Sequence, residues 1–294
     1  MGNASMGWAA AFGAGATDPV TRQFEFFSCS IGKRPSLIES PGIRGTRSHI
    51  KESVTTGAAS VGGSVVMEPR PDELDFWLPY ILGATENANV FALAETLPEC
   101  YVTVDKVAKV YTYAGMKVNR ALFGSAEGAN PNLRMTLDLE GKTETEAAAG
   151  TFPAISTTLS VLQPFTHLHS VLTVSSSQPI RNVQVEINNA LILDRFMNTA
   201  ARTELPASDR IVRVTCDNPF TADEVSLYSL ALAGSAATLV YTNGAKVLTF
   251  TFANLKAAPV GPEIPSRETE IPLRMELVAF QSGGTKELVI TNVS

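Results

Sequence analysis

The amino-acid sequence predicts a mainly β protein built as two tandem β-sandwich or barrel domains, each flanked by one short α-helix. Three observations carry that prediction. Residues 133–140 and 183–188 alternate apolar and polar side chains, a period of two that sends one set to a core face and the other to water. Residues 238–252, TLVYTNGAKVLTFTF, hold Asn243-Gly244 between two apolar, β-branched runs. That is a strong hairpin signal, because a type I′ turn needs two residues tolerant of positive φ. The third observation is that one order of elements occurs twice along the chain.

Taken from the N-terminus, residues 1–20 are small and without periodicity, and are expected to form a flexible arm. They lack the basic region of a secretory signal, and Met6 stands where a myristoylation signal wants Ser or Thr. Strands are expected at 24–31, 64–68, 100–104, 107–113 and 133–140. Between them, 72–82 reads as a helix: Asp72 and Glu73 complement the dipole of the first turn, and Leu74, Trp77, Leu78 and Ile81 share one face. Pro79 lies inside it and is expected to kink or shorten it. The small-residue stretch 144–161 contains the join between halves, drawn as a linker at 153–159. Strands follow at 168–174, 183–188, 209–216 and 287–293, with a second helix at 222–233 stopped by Gly234.

The repeat divides this inventory into a first domain at 21–152 and a second at 160–294. Asp72-Glu73-Leu74 through Leu82-Gly83 matches Asp223-Glu224-Val225 through Ala233-Gly234 without a gap. Ala108-Lys109-Val110-Tyr111-Thr112-Tyr113 matches Ala245-Lys246-Val247-Leu248-Thr249-Phe250, and Leu133-Arg134-Met135 matches Leu273-Arg274-Met275. Helix, strand and amphipathic strand keep their order, and the offset changes only between elements, as loop insertions make it. A chain with two similar domains can build a ring with twice as many units as subunits, so three chains give pseudo-sixfold order.

Composition removes other classes. With 294 residues, 45% hydrophobic and 18% charged, the chain is too apolar for a disordered protein and has room for a large core. Lys and Arg number 23 against 29 Asp and Glu, a net charge of -6, whereas proteins that grip nucleic acid are usually basic. Cys29, Cys100 and Cys216 are odd in number and widely spaced, which suits three reduced thiols in a protein made in the cytosol. No apolar run reaches the roughly 18 residues of a membrane helix.

The passage 39–83, ESPGIRGTRSHIKESVTTGAASVGGSVVMEPRPDELDFWLPYILG, pairs a Gly/Arg/Thr-rich extended loop with a strand-to-helix step and a Leu-Gly stop. It resembles the major tail tube proteins of long-tailed bacteriophages, particularly their duplicated form. The resemblance implies a virion protein made in the host cytoplasm, with tail-tube-type β-sandwich domains whose sheets join into a barrel around a lumen. It also implies stacked rings, passage of double-stranded DNA without tight binding during ejection, and other phage tail proteins as partners. The long loop is then 40–63, and Arg44, Arg47, His49 and Lys51 are its candidates for contact between rings. If six units each give four strands, the barrel has roughly 24, above the 16–18 that already leave an aqueous channel. Asp138, Glu140, Gln184, Glu186 and Glu276, on the polar faces of amphipathic strands, are the candidate lumen-lining residues. An acidic or neutral lining lets phosphates slide past.

Other chemistry finds little footing. His167-Leu168-His169 puts two imidazoles on one face of an expected strand, but no clear third and fourth zinc ligand is near in sequence. Asp72, Glu73 and Asp75 fit a helix first turn better than paired catalytic carboxylates. No nucleophile elbow or phosphate loop occurs. The expectation is a structural subunit, with no enzyme activity, cofactor, metal or membrane. The alternatives are a head–tail neck or tail-end ring protein, and a carbohydrate- or receptor-binding β-sandwich. For the basic loop residues, a contact with DNA and plain solvation are the alternatives to a contact between rings.

Overall fold

The computed structural model describes residues 6–9, 22–39, 48–49, 51–153, 159–219, 232–257 and 271–294. The first half holds β1 (Met6–Ala9), β2 (Arg22–Phe24), β3 (Ser28–Cys29), β4 (Gly32–Glu39), β5 (Val54–Met67) and α1 (Pro71–Leu82). It continues with β6 (Val90–Ala92), β7 (Cys100–Asp105), β8 (Lys109–Ala126), β9 (Arg134–Gly141) and β10 (Thr143–Ala148). The second half holds β11 (Ser170–Val174), β12 (Ser176–Gln178), β13 (Asn182–Asn188), β14 (Ile211–Pro219), β15 (Ser235–Asn243), β16 (Lys246–Lys256), β17 (Pro272–Ala279) and β18 (Leu288–Val293).

Two long strands organise the molecule. The 18-residue β8 pairs β7 and β10 through its first part, and β9 and β13 through its last. β16 behaves alike: Val247–Phe252 pairs β15 and β18, while Leu255 and Lys256 pair β17, with Leu255 still paired by Ser235 of β15 beyond a bulge. β5 pairs β9 as β14 pairs β17. One sheet therefore runs β4–β5–β9–β8–β13–β14–β17–β16, all antiparallel, with β3 continuing beside β5. Its inner face alternates as the sequence requires: Met135, Leu137, Leu139, Val183, Val185 and Ile187 are all buried. They join one apolar cluster drawn from both halves, including Phe123, Phe250 and Trp77.

The helix α1 seals that cluster. Pro71 occupies the first helical position, where a missing N–H costs nothing, and the Glu73 carboxylate accepts the Arg70 N–H at 2.9 Å. Leu74, Trp77, Leu78 and Ile81 are fully buried, as their spacing predicts. Pro79 neither ends nor shortens the helix before Gly83, which adopts φ 96° and donates its N–H to Pro79 O at 2.8 Å. Asn292, also buried, ties this helix to β18 by donating Nδ2 to Pro71 O at 2.7 Å and Asp75 Oδ1 at 2.6 Å.

Several expectations change. Part of the N-terminal arm is strand: Met6–Ala9 inserts between β2 and β7, where its backbone groups satisfy two edges at once. The hairpin at 238–252 is present, but Asn243 pairs Lys246, so the loop is Gly244-Ala245. Gly244 takes φ 61° at the first loop position, as a type II′ turn requires, and Asn243 instead donates Nδ2 to Gln163 O at 3.0 Å. The later part of the loop at 40–63 is strand: β5 begins at Val54 and pairs β4, which precedes the loop. Its tip at 40–47, the linker residues 154–158 and most of the second helix, 220–231, lie outside the described residues.

Candidate functional site

The polar face of the long sheet gathers four of the five residues expected from sequence to line a lumen. Alternation puts Asp138 on β9, Gln184 and Glu186 on β13 and Glu276 on β17 opposite the buried side chains of those strands. Arginines stand among them. Arg120 on β8 lies between β9 and β13, with Nη1 3.6 Å from Asp138 Oδ2 and Nε 3.2 Å from Glu186 Oε1. Arg213 Nε is 3.3 Å from Glu276 Oε1. Arg134 pairs Glu68 at 3.7 Å in the first half, and Arg274 pairs Asp217 at 3.5 Å in the second.

These are half-exposed cross-strand pairs, each worth roughly 0.2–1 kcal/mol, so they set register and charge more than stability. Five carboxylates face four guanidiniums across this surface. This face is near charge balance rather than strongly acidic. Gln184 lines a shallow groove with Leu122, Gly124, Asn132, Arg134 and Thr136.

Glu140 stands apart. It accepts from Arg202 at 2.6 Å, and Arg202 is 7% exposed, reaching also Val61 O and Leu193 O. The connection 189–210 between β13 and β14 thus crosses the end of the first-half sheet, fastened by Lys117 Nζ to Leu205 O and by Ala59 N–H to Ala200 O. Arg202 was not singled out by sequence, since a lone Arg in a loop has no pattern to mark it.

Of the basic loop residues, Arg44 and Arg47 lie outside the described residues. His49 Nδ1 is 2.6 Å from Glu39 Oε1, and Lys51 opens a single 3-10 turn, both exposed in the connection between β4 and β5. β4 also exposes Leu37 and Ile38.

His167 and His169 do not share a strand face. They form a 3-10 turn, whose three-residue repeat turns them apart: His167 is buried and His169 exposed. His167 Nδ1 meets Ser125 Oγ at 3.0 Å, Ser125 meets Tyr241 OH at 2.8 Å, and Nε2 lies 3.0 Å from Ile180 O. This polar cluster links the halves. Asp72 is taken by Arg22 at 3.0 Å and Ser160 at 2.6 Å, and Asp75 by Asn292, so neither faces an open cleft. Burial pushes all three thiols up, Cys216 to about 12, which keeps them protonated.

Among known proteins, a family model described as phage tail tube protein matches residues 2–275. No curated protein matches the chain.

Proposed function

Because the chain belongs to the phage tail tube protein family, a structural component of the virion, we propose that its copies close into rings that stack around a channel for DNA. The observation carrying this reading is the β8–β13 junction. There, two four-strand sheets, β4–β5–β9–β8 and β13–β14–β17–β16, join edge to edge within one chain. Repeating that junction between chains extends the sheet until it closes, which also removes its exposed edges. Three chains supply roughly 24 strands, enough for a wide aqueous lumen.

An internal duplication underlies the arrangement. It is supported by the matching order of pairings in the two halves and by the ion pairs Glu68–Arg134 and Asp217–Arg274 at corresponding places. The polar face, with Asp138, Gln184, Glu186 and Glu276, is the channel lining. Its arginines are already neutralised by carboxylates, so few phosphate contacts with counterion release are available and DNA passes without sticking. The β4–β5 hairpin, with His49, Lys51 and the tip beyond them, reaches the next ring.

Averaged electron micrographs of tube cross-sections test the reading. Long tubes with true threefold and approximate sixfold order are expected. Single rings that never stack fit a neck or tail-end ring protein instead, and strict sixfold order removes the three-chain ring.

A further inference from the structure

We infer that the cavity where the two ends of the 189–210 connection meet binds a primary ammonium group, presented either by a lysine side chain of a partner protein or by a free aliphatic amine. The ends close on each other there: Leu191 bridges Ala207, and Ser208 donates its N–H to Ala190 O at 3.1 Å. The next residues, Asp209 and Arg210, share the cavity wall with Glu95, in the segment after β6, and Glu287, just before β18. With Asn189 from the start of the connection they line about 200 Å³, room for the four-carbon stem of a lysine. Leu97 and Ala207 give that stem apolar contact. The site is complete within one chain.

The wall is set up to receive N–H donors. Asn189 is 2% exposed and uses both protons of its Nδ2 on Ile81 O and Val118 O, each at 3.1 Å. Among the described residues nothing donates to its Oδ1, and a buried acceptor without a partner is costly, so a donor arriving from the cavity is favoured. Three carboxylates line the cavity against one guanidinium. Arg210 is committed to Glu287 Oε1 at 2.9 Å and to Ala94 O at 2.8 Å, and Glu95 is held by Lys286 at 2.6 Å. Asp209 is exposed and has no cation among the described residues. The acceptors still open are the Asp209 carboxylate, Glu287 Oε2 and Asn189 Oδ1, three sites for the three N–H bonds of an ammonium. A compact ammonium suits separate acceptors better than a planar guanidinium fork does. A metal ion suits them less, because among the described residues no group of three His, Cys, Asp or Glu could hold one.

Calorimetric titration of the full chain with putrescine, a four-carbon diamine, at low ionic strength tests the site. One saturable site per chain is expected, with a dissociation constant of about 1 mM or below, weakened about fivefold or more by Asp209→Asn. Asp209 is exposed, so the variant is expected to fold, and an unchanged thermal melt verifies it. Tetramethylammonium carries the same charge per nitrogen but no N–H bond, and is expected not to compete. On saturation with putrescine, the side-chain amide signals of Asn189 are expected to shift in the NMR spectrum. Absence of saturable binding, equal binding by Asp209→Asn, or equal competition by tetramethylammonium each overturns the proposal. Should the variant melt early, the tetramethylammonium comparison on the unmodified chain decides. Free and assembled protein distinguish the two sources of the ammonium. A site open to putrescine in both takes a free amine, whereas a site open in the free subunit and already filled on assembly takes a partner's lysine.

Discussion

Removing the Arg202 guanidinium gives the sharpest test of how the 189–210 connection is held. Arg202 sits 7% exposed and donates to Leu193 O at 2.8 Å, Val61 O at 3.1 Å and Glu140 Oε2 at 2.6 Å. Arg202→Ala deletes these bonds and leaves the Glu140 carboxylate, 21% exposed, without its cation. Breaking a buried pair from one side costs about 3–5 kcal/mol. The residual exposure of Glu140 lets water in, so the low end, about 3 kcal/mol, applies. With a urea slope near 3 kcal/mol/M, the unfolding midpoint falls by about 1 M. Arg202→Lys keeps the charge but not the fork, and falls in between. Urea unfolding followed by circular dichroism measures both, and hydrogen exchange over 189–210 locates the change. An Arg202→Ala midpoint within about 0.2 M of wild type, with unchanged exchange, refutes the assignment of Arg202 as the pin.

Three further outcomes follow from the same structure. Gly83→Ala is expected to cost about 1–2 kcal/mol or more, since φ is 96° and the new Cβ comes 2.5 Å from Thr96 O; thermal melts check it. Burial raises the Glu73 carboxyl, so the folded state holds its proton to higher pH than the unfolded chain does. Stability therefore falls as pH rises from the ordinary carboxylate range through the folded value. Glu73→Gln, which keeps an acceptor for the Arg70 N–H, is expected to raise the urea midpoint at pH 7.5 and to lose that gain below pH about 4. In native protein at pH 8, a thiol reagent is expected to spare the buried Cys100 and Cys216 and react only slowly at Cys29, as mass mapping can read.

The fold was legible at several elements with one buried face, although only the first part of β8 and the end of β5 were expected as strand. β9, β13, β7, β14 and α1 were each predicted within two or three residues, because alternation or helical spacing records which side faces the core. The elements that escaped lack that record. β10, TETEAA, is exposed at nearly every position, so no period of two is written into it. β6 and β12 are three residues long, and β1 lies in a small-residue segment without apolar periodicity. The one-residue shift of the 238–252 hairpin has a similar source. Asn-Gly and Gly-Ala both offer a glycine to the turn, and the choice fell to Asn243, whose amide bonds Gln163 O outside the hairpin. That bond is a tertiary fact, absent from any local window.

The candidate surface shows where a pattern of residue types stops informing. Alternation correctly sent Asp138, Gln184, Glu186 and Glu276 to one polar face, but a strand read alone does not disclose its cross-strand partners. Only the pairing register brings Arg120 between Asp138 and Glu186, and that changes the argument about DNA. A ring of unpaired acids repels phosphates at long range and destabilises its own closure by like-charge repulsion. A face on which each carboxylate has a nearby guanidinium avoids both effects, while each Arg, held in a pair, loses the geometry it needs to grip a phosphate. Under the proposed channel reading, a smooth conduit follows from balance rather than from repulsion. The prediction that tests this is Arg120→Ala. If the Arg120 pairs do not contribute to the lining's charge balance, tube yield of Arg120→Ala matches wild type at every ionic strength. If balance governs, Asp138 and Glu186 face each other unneutralised across the β8 seam, and assembly becomes dependent on added salt, measured as tube yield against ionic strength. Unchanged yield from low to high salt refutes the balanced-lining argument.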